Sequence, residues 1–260
     1  MEFVELETKN DVLHIRLNRP EIRNAFNPKM IGEVTKALAD AGKESTLRAV
    51  VISGNGQSFC AGADLNYMKS MVDFSVAENR KDSEILFDMF YTLKNMEIPT
   101  IAKVHGHVMG GAIGLLAACD VGVAEKETQF CFSEVRLGIA PAVISPFVIK
   151  KTNKSFYTRY LVSAEMFGVD IALRGGLISE VHPADEMDAA VEKILKRFKS
   201  NGKRAVRATK NLISYVEENN SWINVKNETT KVIADLRVSE EGQEGLRSFL
   251  EKRKPNWIQE

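Results

Sequence analysis

Disulfide chemistry is nearly absent from this sequence. Its 260 residues include only Cys60, Cys119 and Cys131, an odd number with no C-x-x-C pair, which excludes a disulfide framework and a thioredoxin-type redox pair. The three read as reduced core residues. No His–carboxylate spacing suits a metal ion, so none is expected. An excess of one charge is also missing. Lys plus Arg total 35 and Asp plus Glu total 35, which removes the global electrostatic case for nucleic acid or an anionic membrane as partner. No apolar run approaches the ~20 residues of a membrane span. The N-terminal stretch MEFVELETKNDVLHIRLNRP has no basic-then-apolar leader pattern. The expectation is a soluble cytoplasmic protein.

Two familiar nucleotide loops are absent too. There is no G-x-G-x-x-G between a strand and a helix, and no glycine loop ends in G-K-[ST]. No Gly/Pro/Ser-rich linker or internal repeat divides the chain.

What is present reads as α/β. DVLHIRL, residues 11–17, alternates as a half-buried strand. Asn27-Pro28 is a helix cap followed by proline at the first helical position, ahead of a stripe of Met30, Ile31, Val34 and Leu38. LRAVVIS (47–53) reads as a buried strand. Residues 66–81 are polar and weakly patterned, which predicts a short helix and a mobile segment. Ile85, Leu86, Met89, Phe90, Leu93 and Met96 mark an amphipathic helix ended by Ile98-Pro99. A strand is expected from Thr100 to His107, with further short ones at 121–124 and 129–132. Beyond about residue 155 only helical periodicity is expected, including Met187, Val191, Ile194, Leu195 and Phe198. Strands alternating with helices across short turns predict α/β architecture, here a core of residues 1–195 followed by a helical subdomain of residues 196–260.

Two glycine loops each follow a strand: Ser58-Phe59-Cys60-Ala61-Gly62-Ala63-Asp64-Leu65, and Gly110-Gly111 at the head of an apolar run ending in Cys119-Asp120. Small residues at strand ends leave backbone N–H groups uncovered. Two such groups from separate strands can converge on one oxygen, the geometry that stabilises charge developing on a carbonyl. A helix beginning at Gly111 would add its positive end. A tight turn with no ligand is the alternative for either loop alone.

Together with their surroundings these loops resemble the crotonase family, the enoyl-CoA hydratase/isomerase superfamily, over nearly the whole chain. The resemblance is carried by Leu17-Asn18-Arg19-Pro20 with Asn24-Ala25, by Phe59-Cys60-Ala61-Gly62-Ala63-Asp64-Leu65, and by Gly110-Gly111 through Asp120. It continues in Phe130-x-x-x-Glu134-x-x-x-Gly138, Ala164 to Val181, and Phe249-Leu250-Glu251-Lys252-Arg253-Lys254-Pro255. It implies a spiral of ββα units with C-terminal helices that assemble a homotrimer or a hexamer of paired trimers. It also implies an acyl-CoA substrate and no separate cofactor. On that basis the amides of Ala63 and Gly111 form the oxyanion hole and Glu134 is the catalytic acid–base. Backbone at Ala61, Asp64 and Leu65 lines the CoA groove, Arg23 and Lys252 lie near the nucleotide phosphates, and Phe249 lies near the adenine.

One departure stands out. Hydratases of this family carry a second glutamate three residues after the second glycine, and here that place is Gly114. Asp120 reads as structural. Leu137-Gly138-Ile139-Ala140-Pro141-Ala142-Val143-Ile144-Ser145-Pro146 resembles a subgroup of hydratases for branched or carboxylated enoyl-CoA, such as methylglutaconyl-CoA hydratases. If the substrate brings a carboxylate, Gly114 is expected to leave room for it. Hydration by a single glutamate is the favoured reaction. Double-bond isomerisation is the alternative, followed by dehydration or decarboxylation of a 3-hydroxy-3-methylglutaryl-type thioester, or a non-catalytic acyl-CoA- or RNA-binding role.

Overall fold

A computed structural model describes residues 1–258. The first strands are β1 (Val4–Lys9) and β2 (Val12–Leu17), an antiparallel hairpin turned by Asn10 and Asp11. A 3-10 turn at Pro20–Ile22 leads to α1 (Pro28–Lys43), where the Asn27 side chain accepts from the Met30 amide as the cap. Met30, Ile31, Val34 and Leu38 are all buried. Next come β3 (Ala49–Gly54), α2 (Leu65–Met71) and α3 (Val76–Lys94). α3 starts well before the expected Ile85, because Ser75 and Glu78 close a capping box that supplies the N-terminus.

The strand expected from Thr100 to His107 is two strands. β4 (Thr100–Val104) and β5 (His107–Met109) lie in different sheets. The break is at Gly106, whose φ is +60° and where a Cβ would stand 2.1 Å from the Gln57 carbonyl oxygen. Only glycine permits both that conformation and that approach. α4 (Gly111–Ala118) follows, then β6 (Val121–Glu125), β7 (Gln129–Cys131), a 3-10 turn at Glu134–Leu137, α5 (Ser145–Lys151) and α6 (Lys154–Ser163).

Strands do not end near residue 155. β8 (Phe167–Gly168) and β9 (Glu180–His182) flank α7 (Val169–Gly175). Each has two or three residues, too few to show a period of two. Their conformation comes from pairing with β7 and β6. α8 (Met187–Ser200), α9 (Lys203–Glu218), α10 (Trp222–Val238) and α11 (Glu240–Leu250) follow.

One sheet has six strands in the order β1-β2-β3-β4-β6-β9, parallel from β2 onward, and the other has three in the order β5-β7-β8. Successive strands are dealt alternately: β4 and β6 to the large sheet, β5 and β7 to the small one. A helix follows each pair, which is the ββα spiral expected. α4 is apolar all round, and residues 112–118 are all buried, as such a helix must be. Just past its C-terminus the carbonyls of Cys119 and Asp120 accept from the Lys151 ammonium. The Asp120 carboxylate accepts from the Thr100 amide at 2.7 Å and its hydroxyl at 2.9 Å, so it ties α4 to β4 and has the structural role read from the sequence. The three cysteines are free and buried.

The chain forms two compact units: residues 1–96 with 100–191, and residues 97–99 with those from 192 on. The division therefore falls inside α8, four residues before the expected one. In the second unit the Glu241 carboxylate caps α9 by accepting from the Arg204 and Ala205 amides. No described helix is long and apolar enough to cross a membrane.

Candidate active site

The site grows from two loops held together by buried polar side chains. Asn24 has a positive φ of 56° and is fully buried. Its side chain accepts from the Arg19 amide and donates to the carbonyls of Asn55 and Ser58, at 2.8 to 2.9 Å. It thus latches the 19–26 loop onto the turn that leads into 58–65. The Ala61 amide donates to Arg23, the Phe26 amide to Gly62, and the Asp64 amide to Phe26. Because Phe26 takes both the Gly62 carbonyl and the Asp64 amide, strand alternation turns the intervening Ala63 amide to the opposite side. On that opposite flank runs β5, bonded through Cys60 to His107 and Met109. The Ala63 amide has no partner among the described residues, and Ala63 is exposed.

Arg19 and Asp64 form a nearly dry ion pair, Nη2 to Oδ2 2.8 Å, with side chains 12% and 10% exposed. Arg19 also donates to the Ala25 carbonyl and stacks over Phe3. The other Asp64 oxygen accepts from the Asn66 and Tyr67 amides and caps α2. Burial by itself would raise the Asp64 carboxyl, but the Asn66 amide, Arg19 and the Tyr67 amide outweigh it and hold the group below its ordinary value.

The second loop is a sharp corner. Gly110 has φ 50° and ψ −120°, and its amide donates to the Cys131 carbonyl at 2.9 Å. That bond ties the head of α4 to β7, the strand that delivers Glu134. A Cβ at Gly110 would stand 3.3 Å from Glu134 Oε1, so the carboxylate lies against the bare α-carbon at the mouth of α4. The Gly111 amide opens α4 and has no partner among the described residues. A Cβ at Gly62 would stand 3.3 Å from the Met109 carbonyl, and one at Gly111 would stand 3.4 Å from the Phe26 ring. A side chain at either glycine would therefore touch the facing segment.

Glu134 is half-buried, and its Oε2 is buried with no hydrogen-bond partner. Burial raises its carboxyl above the ordinary glutamate value, against the opposing pull of its own backbone amide. A desolvated carboxyl with a free oxygen is suited to exchange a proton with a bound molecule.

Arg23 is exposed in a left-handed conformation, with Ala61 beside it, and Leu65 is exposed at the start of α2. Phe249 (81% exposed) and Lys252 belong to the second unit. The Asp64 side chain is taken up inside the fold. His105 is occupied by the Gly56 carbonyl and Ser145 by the Ala142 carbonyl. Gly114 differs from expectation. A Cβ there would stand 2.5 Å from Ile144 Cγ2 and 3.0 Å from Phe90 Cζ, so a side chain at this position would not fit the present packing. Hydrocarbon already fills that space. The sequence places Asn24, Arg19, Phe90 and Ile144 in motifs or stripes but does not show which distant groups they meet: Asn55 and Ser58 for Asn24, Asp64 for Arg19, and Gly114 for Phe90 and Ile144.

Two sheets of ββα units, two free amides from separate strand ends and one desolvated carboxylate define a crotonase-type α/β protein. The Enoyl-CoA hydratase/isomerase family profile matches residues 7–260. Crotonyl-CoA hydratase of Syntrophomonas wolfei is 30% identical, with 98% of this chain and 97% of that protein covered. A trans-2-decenoyl-[acyl-carrier-protein] isomerase of Streptococcus mutans is 25% identical, with 99% of each chain covered. The crystal structure of an enoyl-CoA hydratase from Shewanella pealeana superposes with a TM-score of 0.94 at 34% identity, covering 98% of this chain and 96% of that one. The chain belongs to the enoyl-CoA hydratase/isomerase family.

Proposed function

We propose that the protein is an enoyl-CoA hydratase that adds water to a 2-enoyl-CoA whose acyl group is branched or carboxylated, using Glu134 as its single acid–base. The observation that carries this is the Glu134 carboxyl, desolvated against Gly110 with Oε2 unpartnered, beside the free Gly111 amide. The thioester oxygen accepts from the Ala63 and Gly111 amides. Charge that builds on it as the β-carbon is attacked is stabilised there and by the positive end of α4. Glu134 takes a proton from water as oxygen bonds to the β-carbon. The resulting enolate recovers a proton from Glu134 at its α-carbon, which returns the carboxylate to its starting state. Arg23 and Lys252 bind the CoA phosphates, Ala61, Asp64 and Leu65 offer backbone to the CoA groove, and Phe249 meets the adenine. A homotrimer or paired trimers is the proposed assembly, supported by exposed apolar side chains such as Trp222, Ile223 and Leu250.

Isomerisation is the second reading. One carboxylate suffices to move a proton along an allylic thioester, and a relative bears an isomerase name. Product mass after incubation with crotonyl-CoA and 3-methylcrotonyl-CoA separates the two. Hydration consumes the enoyl-thioester ultraviolet band and yields a product one water heavier. An unchanged mass with 3-enoyl-CoA as reactant would favour the isomerase. Glu134→Gln should lower turnover by about 10²–10⁴-fold; full activity in that variant would remove Glu134 from its role.

A further inference from the structure

The Glu134 carboxylate lies against Gly110 with its Oε2 unpartnered, so no hydrogen bond to that oxygen aims it. Its direction comes from the contact with Gly110 and from the backbone beneath it. That backbone is the short 3-10 turn Glu134–Leu137, and its own bonds are local. The Arg136 amide donates to Ser133 at 3.1 Å, the Gly138 amide to Val135 at 3.2 Å and the Ile139 amide to Glu134 at 3.3 Å. Such a turn has poor hydrogen-bond geometry and is weak without outside support. Among the described residues, one hydrogen bond leaves residues 133–139 for another element: Arg136 Nη2 donates to the Ala164 carbonyl at 2.5 Å.

Ala164 is a well-placed acceptor. It is fully buried and closes α6 in a left-handed conformation, φ 51° and ψ 26°, a region that a non-glycine residue enters at a cost. Its carbonyl belongs to the negative end of α6, where a cation is favoured. The Cys131 thiol donates to the same oxygen at 3.2 Å, and the Cys131 carbonyl accepts from the Gly110 amide. The chain three residues before Glu134 and two residues after it is thus pinned to one buried oxygen, and the earlier pin also carries Gly110. We propose that Arg136 is a positioning residue of the reaction: by holding the Ala164 carbonyl it fixes the turn that aims the Glu134 carboxylate. The guanidinium acts through geometry, since burial rather than a cation shifts the Glu134 carboxyl. This rests on the acyl-CoA reading above, with Glu134 as the acid–base.

The test is steady-state hydration by the full-length protein, using whichever of crotonyl-, 3-methylcrotonyl- and 3-methylglutaconyl-CoA it turns over fastest. Arg136→Met keeps the side-chain length and removes the donor. It should lower kcat by about 10–100-fold, the scale of a small misplacement of a reacting group, while KM stays within about threefold. Arg136→Lys, which keeps a cationic donor, should recover most of that loss. In a Glu134→Gln background, Arg136→Met should change the residual rate by less than about twofold, because there is no acid–base left to aim. If Arg136→Met does not fold, Arg136→Gln, with a shorter uncharged donor, carries the same comparison. A folded variant with unchanged kcat, or an equal loss in both backgrounds, overturns the positioning role and leaves the acyl-CoA reading standing. Full activity in Glu134→Gln itself, or a wild type that hydrates none of the three, overturns that reading, and the positioning role with it.

Discussion

Removing the Asp64 carboxylate should be among the most damaging single changes outside the apolar core. Asp64→Ala strips Arg19 of its anion at a place where both side chains are about nine-tenths buried. It also uncaps α2 by taking away the acceptor for the Asn66 and Tyr67 amides. Breaking a buried pair from one side costs about 3–5 kcal/mol, because the remaining charge is left without compensation. The lost cap alone is worth about 1 kcal/mol. The two terms share one carboxylate and are not summed, so about 3–5 kcal/mol is expected. Arg19 Nε is already buried without a partner, so the guanidinium has little to fall back on. Urea unfolding measures the loss. A cycle with Arg19→Met should show that the double variant loses clearly less than the sum of the singles. The pH dependence has a definite sign. Asp64 is held below its ordinary value when folded, so its contribution is present above the unfolded aspartate value, ~3.9, and is lost as pH falls through the folded value. The gap between wild type and Asp64→Asn should close in that acid range. An Asp64→Ala protein within about 1 kcal/mol of wild type would refute the reasoning.

Gly110→Ala forces a side chain into φ 50°, ψ −120° and toward Glu134 Oε1. It should cost about 1–3 kcal/mol and lower kcat more than it raises KM, as read by urea unfolding and steady-state kinetics. Glu134→Gln should test the burial of that carboxyl independently of catalysis. The folded value is raised by burial, so the stabilisation of the protonated form is lost as pH rises through it. The glutamine variant, which never ionises, should gain stability relative to wild type with rising pH, measured as unfolding midpoint against pH; parallel curves would count against the raised value.

How much was legible varied with the range of the forces. Asn27-Pro28 caps α1 through atoms three residues apart, and the cap was readable. The Ser75–Glu78 box was equally local, yet the polar composition of 66–81 hid it; searching for S-x-x-E would have found α3's start. β1 is not legible in the sequence, because a strand with only Val4 buried shows no apolar face and is held by its ladder with β2. β8 and β9 had no period to show and exist through their partners. In the site, Glu134 and the two glycine loops were legible as residue types and spacings. The Arg19–Asp64 pair and the Asn24 latch were not, because they join positions 45 and 34 residues apart.

The sequence by itself determined the α/β class, the family through its glycine and glutamate motifs, and the absence of a glutamate at position 114. Only the tertiary structure decided what that absence means. A glycine in a sequence records that a side chain is missing, and the space it leaves belongs to whichever neighbour reaches it first. Here Ile144, thirty residues away, and Phe90 reach it, so the space that a glutamate side chain at 114 would enter first is filled by hydrocarbon.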